Sequence, residues 1–451
     1  MAIFKKLKAA FNVMQSLDLE KIGKLSAKVD LNKMIGLVSS MKDEDLHKLI
    51  KFMESGQKKH EFPEINGDFY DLHEILTPEE KEIQLQVREF MLKEIKPIAN
   101  TYWLKDEFPH QIIPEFAKLN ICGLTYKGYG CPGKSSLLEG FLAMEMARVD
   151  CSTSTFFGVQ SGLAMGSIYY CGSEEQKQKW LPSMQKMELI GAFGLTEPEV
   201  GSGVAGGLTC TCKRQGDRWI LNGQKKWIGN ATFADLIVIW ARDLDDGNVK
   251  GFVVEKNFTG FKAEKIRGKM ALRIVQNALI TLTNCELPEA NRLQQANSFK
   301  DTAQVLRMTR AGVAWQAVGC ARGAYESALQ YTNERRQFGR SINSFQMVQD
   351  LLVMMLSNLT AMQTMVCRLS QLQDSGKLTD EHASLAKVFC TLRTRDIVSH
   401  ARELFGGNGI LIEHDIARFV ADAEAIYSYE GTKEINTLIV GRAITGHSAF
   451  V

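Results

Sequence analysis

The stretch Trp219-Ile220-Leu221-Asn222-Gly223-Gln224-Lys225-Lys226-Trp227-Ile228-Gly229-Asn230 decides the architecture. Apolar residues run into Asn222-Gly223, the strongest short-range signal for a two-residue hairpin. Strand character continues at Leu236 to Trp240, Gly251 to Glu255 and Ala278 to Leu282, so residues 191–295 read as a β-domain. On both sides the apolar period is helical. Upstream, Thr77-Pro78-Glu79-Glu80 offers an N-cap, a proline in the first turn and two acids behind it. That opens a helix over 79–100, with others expected at 114–119, 137–149 and 174–186, and a loop at the Gly-rich run Lys127 to Gly133. Downstream, helices are expected at 301–332, 344–373, 379–404 and 431–441, the last two parted by Phe405-Gly406-Gly407-Asn408-Gly409. Helices, a β-insert and a helical bundle make an α+β layout without doubly wound alternation. No GxGxxG follows a strand, so the dinucleotide fingerprint is missing.

The chain has 451 residues, is 45% hydrophobic and 24% charged, and carries a formal net charge of +2. That suffices for two or three cores and lacks the basic excess of a nucleic-acid binder. Ten cysteines show no CxxC or Cys/His ligand spacing, which predicts reduced thiols and no metal site. No apolar run reaches the ~18 residues of a membrane-spanning helix, and neither terminus carries a targeting signal. The expectation is a soluble cytoplasmic protein, with the mitochondrial matrix as second choice. In residues 1–65, Leu17, Leu19, Ile22 and Leu25 fall at helical spacing and predict an amphipathic extension. It suits a packing arm or contact with a membrane surface.

Five blocks carry chemistry. In Tyr427-Ser428-Tyr429-Glu430-Gly431-Thr432, aromatics beside a carboxylate strip it of water and raise its pKa toward the range of a working base. Phe193 to Gly203 (FGLTEPEVGSG) presents backbone N–H groups and hydroxyls to the edge of a planar polar ligand. In Trp227-Ile228-Gly229-Asn230 an indole can cover a ring system. Arg335-Arg336-Gln337-Phe338-Gly339, followed by Ser344-Phe345-Gln346, suits a pyrophosphate, because guanidinium groups grip phosphate in a bidentate fork. The bare backbone of Phe405 to Gly409 permits close approach of a phosphate or ring. Each block alone has an ordinary reading: a turn, a core indole, a solvated arginine pair or a surface glutamate. Their joint order is the signal.

Together these blocks resemble those of the acyl-CoA dehydrogenase and oxidase family, over residues 75 to 450. The carriers are Leu195-Thr196-Glu197-Pro198 with Gly201-Ser202, Trp227-Ile228 with Asn230, Arg335 with Gln337-Phe338-Gly339, Gly406-Gly407-Asn408-Gly409, and Tyr429-Glu430-Gly431-Thr432. Within the family the chain is most similar to glutaryl-CoA dehydrogenase and to plant-type short-chain acyl-CoA oxidase. Residues 126–130 and 441–446 carry the shared likeness, and Leu272 to Asn277 and Val313 to Gln316 the likeness to the oxidase.

The resemblance implies a helical N-terminal domain (70–190), a middle β-domain (191–295) and a C-terminal four-helix bundle (300–451), with FAD held non-covalently between the last two. It implies a homotetramer, a dimer of dimers, in which Arg335, Gln337 and Phe338 reach the FAD of the neighbouring subunit. Gln346 and Glu403, Leu404, Phe405, Gly406 and Gly407 would complete the adenosine and pyrophosphate site. Thr196, Trp227 and Ile228 would meet the flavin ring, Thr432 and Glu434 would follow the base at cofactor-contacting positions, and Ser202 and Arg310 would hold the CoA portion. Glu430 would take the α-proton of an acyl-CoA while the β-hydrogen leaves as hydride, giving a trans-2-enoyl-CoA. The electrons would pass to an electron-transfer flavoprotein. Some relatives carry the base one residue before the position of Arg310; Thr309 stands there, which leaves Glu430. Three departures matter. Gly203 replaces a common Asp. Gly229 replaces a common Thr and predicts room for dioxygen, which keeps a short-chain oxidase as the alternative, beside a non-catalytic flavoprotein. Ser154 and Thr155 stand where glutaryl-CoA dehydrogenase grips a distal carboxylate with an Arg-Ser pair. A buried carboxylate without a cation is expensive, so the expected substrate is short and neutral, without decarboxylation.

Overall fold

The computed structural model describes residues 62–449 together with Lys42, Asp45 and Lys48. The chain forms two compact units, Met1–Glu64 and Ile65–Val451. The expected amphipathic extension lies almost wholly outside the described residues. The second unit holds all five blocks that carry chemistry.

Helix α1 (Pro78–Phe90) begins as its cap predicts. The Thr77 hydroxyl accepts the Glu80 amide at 3.3 Å, and the Glu80 carboxylate accepts the Thr77 amide at 3.0 Å. Through a widened π-type turn, Met91–Ile95, α1 continues into α2 (Lys96–Lys105), and α3 (Ile112–Lys118) follows. The run expected to be a loop is a miniature hairpin instead, β1 (Lys127–Gly128) paired with β2 (Cys131–Pro132). Tyr129 and Gly130 both sit in the left-handed region, at φ 57° and 80°, as a two-residue hairpin turn requires. After α4 (Ser136–Val149), the chain forms α5 (Cys151–Gly158), a widened turn Val159–Ala164, and α6 (Met165–Cys171), then α7 (Glu174–Gln185). No periodicity in the sequence predicts the rod over 151–171. Cys151, Phe156, Ala164, Met165 and Ile168 are buried around nearly its whole circumference, which erases the amphipathic stripe that periodicity detects.

The middle of the unit is a seven-stranded sheet. Its strands are β3 (Gly191–Gly194), β4 (Thr211–Gln215), β5 (Arg218–Gly229), β6 (Leu236–Asp243), β7 (Val249–Glu255), β8 (Phe261–Lys265) and β9 (Asn277–Pro288). A short helix α8 (Val204–Gly207) precedes β4. The order is β3-β6-β4-β5-β9-β8, with β7 pairing β6. Asn222-Gly223 is not the hairpin turn. β5 runs straight through it, and the turn joining β4 to β5 is Gly216-Asp217, flanked by the pair Gln215↔Arg218. Gly223 instead sits at a register shift opposite β9, at φ 134°. A β-carbon there would lie 2.7 Å from Cys210 Cα, so the glycine serves close backbone approach.

The C-terminal helices are α9 (Phe299–Glu334), α10 (Gln346–Asp374), α11 (Asp380–Phe405), α12 (Ile416–Ser428) and α13 (Lys433–Thr445). Between α9 and α10, β10 (Arg336–Gln337) and β11 (Arg340–Ser341) form a two-stranded hairpin. Helix α12 is a further addition to the expected set, although Ile416, Phe419, Ala423 and Ile426 form its buried stripe at helical spacing. By length and composition α10 is apolar enough to cross a membrane, yet Leu352, Met355, Leu359, Met362 and Val366 are buried in the bundle. The α4–α9 crossing relies on glycine. A β-carbon on Gly140 would meet the Trp315 indole at 2.2 Å, and one on Gly319 the Met144 carbonyl at 2.4 Å. Gly319→Ala is therefore expected to lower stability by about 1–3 kcal/mol through overpacking, measured by chemical denaturation; Gly376→Ala, at a site open around the β-carbon but at φ 67°, controls for left-handed strain alone.

Candidate functional site

Between α12 and α13 lies the tetrapeptide Tyr429-Glu430-Gly431-Thr432. Thr432 caps α13, its hydroxyl accepting the Ile435 amide at 3.3 Å. Glu430 adopts φ 56° and Gly431 φ 86°. A left-handed non-glycine residue costs about 1–2 kcal/mol, and such strain gathers at functional sites. The half-buried Glu430 carboxylate accepts a hydrogen bond from the Thr309 hydroxyl of α9 at 3.0 Å. Burial raises its pKa above the ordinary glutamate value, while the Thr309 hydroxyl, the Arg310 guanidinium and the Lys387 ammonium pull it back. The position that holds the base in some relatives thus supplies a hydrogen-bond donor to it here.

Arg310 stands beside this carboxylate. Its Nε is buried without a hydrogen-bond partner among the described residues, which leaves a donor for a ligand. Lys387 of α11 was missed by sequence reasoning. It is buried, and its Nζ donates to the carbonyls of both Tyr429 and Gly431. Burial pushes its pKa down to about 7, and the Glu430 carboxylate opposes that. Tyr429 points away from solvent. Its hydroxyl donates to Gln316 Oε1, and Gln316 Nε2 donates to Ser154 Oγ at 3.1 Å. Tyr427 does not join it: its ring lies under the Arg395 guanidinium, 4.6 Å from the centroid, and its hydroxyl reaches Glu434. The desolvation of Glu430 is thus not the paired-aromatic effect expected from the sequence.

A second group of residues gathers at the end of β5. Thr196 donates from Oγ1 to the Lys226 carbonyl at 2.6 Å, and Asn277 from Nδ2 to the Trp227 carbonyl at 3.1 Å. These bonds present the Trp227 indole, 55% exposed, on a left-handed backbone at φ 68°. Ile228 beside it is buried. Asn230, also left-handed, donates to the Phe156 and Gly191 carbonyls. The loop carrying Thr196 is anchored by an interior ion pair, Lys225 Nζ to Glu197 Oε1 at 2.9 Å. Lys225 also donates to the Leu195 carbonyl, and Glu197 accepts from the Thr209 and Cys210 amides. Burial alone would raise the Glu197 pKa, but Lys225 and Thr209 hold it below its ordinary value.

The widened turn Val159–Ala164 links the two groups. A β-carbon on Gly229 would approach Val159 Cγ2 to 3.3 Å, and one on Gly162 would touch Thr309 Cγ2 at 3.4 Å. The Gly229 β-carbon would find Val275 and Asn277 only at ordinary contact distance, 3.9 and 4.0 Å, so the space there is about that of one methyl group. The other predicted positions stand apart in this chain. Arg335, Gln337 and Phe338 lie at the exposed β10–β11 hairpin, Phe338 at 93% exposure, and Gln346 opens α10 at the surface. Glu403 is exposed. Leu404 and Phe405 are buried, with Phe405 stacked on Tyr331 at 4.1 Å between centroids. A β-carbon on Gly406 or Gly407 would find nothing within 4 Å. Ser202 is exposed on the loop before α8, and Glu434 on the first turn of α13. Among the described residues no cluster of metal ligands occurs.

The acyl-CoA dehydrogenase N-terminal, middle and C-terminal domain models match residues 77–188, 192–285 and 299–445. The chain belongs to the acyl-CoA dehydrogenase family. It is 31% identical to the short-chain-specific acyl-CoA dehydrogenase of Clostridium acetobutylicum, over 82% of this chain and 98% of that protein. Glutaryl-CoA dehydrogenase of Mycobacterium smegmatis superposes with a TM-score of 0.82 at 37% identity, covering 84% of this chain and 98% of that one. The structure of a glutaryl-CoA dehydrogenase from the same organism in complex with FADH2 matches with the same score at 34% identity, over 85% and 98% of the two chains. A chain in the structure of the electron transferring flavoprotein of Acidaminococcus fermentans matches at 0.80 and 32% identity, over 82% and 99%. Replacing Lys225 by Met leaves Glu197 buried without its cation, which is expected to cost about 3–5 kcal/mol. Denaturation of Lys225→Met beside Lys225→Met/Glu197→Gln checks this, because the double variant should recover part of the loss.

Proposed function

We propose that this chain is an FAD-dependent dehydrogenase that converts a short, neutral acyl-CoA to the trans-2-enoyl-CoA and passes the electrons to an electron-transfer flavoprotein. One observation carries the reading: a strained, half-buried carboxylate, Glu430, bonded to Thr309 and flanked by an Arg310 nitrogen without a partner among the described residues. As an oxidoreductase acting on a CH–CH bond, the enzyme needs a base for a weakly acidic α-C–H. Burial raises the proton affinity of Glu430 and so its strength as that base.

The residues present fit FAD. The Trp227 indole is held out on a fixed backbone, the bare backbone at Gly406 and Gly407 faces open space, and Arg335 with Phe338 stands exposed for a neighbouring copy. FAD, when bound, accepts the β-hydrogen as hydride. Thr196, Trp227 and Ile228 orient the ring system, and the 403–407 segment with Gln346 takes the adenosine and pyrophosphate. The exposure of Arg335, Gln337 and Phe338 supports an adjacent subunit that they would serve, and the assembly proposed is a homotetramer. Ser202 and Arg310 hold the CoA portion. Glu430 takes the α-proton onto its carboxylate while the Thr309 hydroxyl fixes its direction.

The groups joined beside the base, Tyr429, Gln316 and Ser154, are all uncharged, so a distal carboxylate would meet no cation in that network. This supports a neutral chain, and the short-chain-specific relative supports its length. The match to a chain in the electron transferring flavoprotein structure of Acidaminococcus fermentans supports a protein acceptor. A cytoplasmic location suits the ten free cysteines.

Two outcomes test the proposal. The FAD-loaded Glu430→Gln protein should keep its yellow colour but lose anaerobic bleaching by butyryl-CoA by at least ~10³-fold; bleaching at the wild-type rate removes Glu430 from the reaction. In the wild type, bleaching should fall away on the acid side with an apparent pKa above the ~4.3 of an ordinary glutamate, because only the deprotonated carboxylate accepts the α-proton. Peroxide formed in air in proportion to product would instead establish the oxidase.

A further inference from the structure

Two successive left-handed residues make the turn that carries the base, Glu430 at φ 56° and Gly431 at φ 86°. Gly431 adopts that conformation freely. Glu430 does not, and persists there only if its surroundings over-determine it. Two buried side chains do so. Lys387, 1% exposed on α11, donates from Nζ to the carbonyls of Tyr429 and Gly431, one on each side of Glu430. Asn436 of α13, also buried, donates from Nδ2 to the Gly431 carbonyl at 2.8 Å and the Thr432 carbonyl at 3.0 Å. An apolar side chain would fill the same space without the desolvation penalty of an ammonium. The amine is therefore explained by the two carbonyls it ties and by the carboxylate between them. The charged groups facing Lys387 are Glu430 and Glu434 of the same segment and Arg310 of α9. Those facing Glu430 are Arg310 and Lys387, with the Thr309 hydroxyl as its direct partner.

Resting on the dehydrogenase reading, we propose that Lys387 is a positioning residue for the base. Its ammonium ties the carbonyls flanking Glu430, holds the strained turn, and keeps a cation beside the carboxylate. It acts through Glu430.

Lys387→Met keeps most of the stem and removes the ammonium. In the FAD-loaded, full-length protein, hydrogen–deuterium exchange across residues 428–436 should rise about tenfold as the turn loses its clamp. Anaerobic bleaching by butyryl-CoA should slow roughly 10²-fold, the effect of a small misplacement of a reacting group. The acid limb of the bleaching rate should move up by about one pH unit, since a carboxyl deprived of a neighbouring cation ionises less readily. Lys387→Arg, which restores the charge, should bring that limb back toward the wild type. A lysine that merely supports the fold would lower the melting temperature and leave the limb where it was. An unmoved limb, or unchanged exchange at 428–436 in the folded variant, overturns the proposal. If the wild type itself is not bleached by any acyl-CoA, the dehydrogenase reading fails, and the exchange measurement still decides whether Lys387 clamps the turn. Should Lys387→Met not fold, Lys387→Gln is judged by the same measurements.

Discussion

The proposed reaction turns on a carboxylate that must be short of water and yet ionised. Glu430 owes its half-burial and its neighbouring cations to its address rather than to its immediate neighbours in sequence. It sits on a left-handed turn between α12 and α13, with Thr309 on α9 as its hydrogen-bond donor and Lys387 on α11 behind its backbone. Partial burial raises its proton affinity, and the nearby cations limit that rise. A site of this kind needs the bundle assembled first, because no single helix holds more than part of it. The glycine-mediated approach of α9 to α4 and the burial of α11 thereby serve the chemistry as well as the core.

Some of the strained positions fall within the motifs. Trp227, Asn230, Phe338 and Glu430 are all non-glycine residues with positive φ, at 68°, 66°, 50° and 56°. Each belongs to a block that stands out in the sequence for another reason. Local interactions secure three of them: Asn277 and Thr196 around Trp227, two backbone carbonyls around the Asn230 amide, and the Lys387 and Asn436 bonds around Glu430. The widened turn Val159–Ala164 lies between the two halves of the site: a β-carbon on Gly229 would meet Val159, and one on Gly162 would meet Thr309. π-Type widening of a helix is frequent where a site needs an irregular surface.

What could be read from the sequence was what local chemistry dictates. The Thr77 cap, the change of period at the β-domain and the oddity of Glu430 among aromatics, Gly and Thr all depend on residues close along the chain. What could not be read depends on tertiary contact. Asn222-Gly223 has the composition of a hairpin turn, but Cys210 packs against Gly223, and the strand carries on through it. The 151–171 rod shows no stripe because it is buried on almost every side. Lys387 looks like any solvent-facing lysine of a helix until the fold brings α11 against the Tyr429–Gly431 turn. Arg335, Gln337 and Phe338 stand exposed at the β10–β11 hairpin, and the role proposed for them rests on the family resemblance.

The most direct measurement is the anaerobic rate of flavin bleaching by butyryl-CoA carrying deuterium at C2, beside the unlabelled thioester and glutaryl-CoA. If Glu430 abstracts an α-proton from an acyl chain that lies along the uncharged Tyr429–Gln316–Ser154 network, deuteration at C2 slows bleaching and glutaryl-CoA is a poor reductant. Bleaching that is insensitive to C2 deuteration and faster with glutaryl-CoA than with butyryl-CoA would contradict both halves of that account.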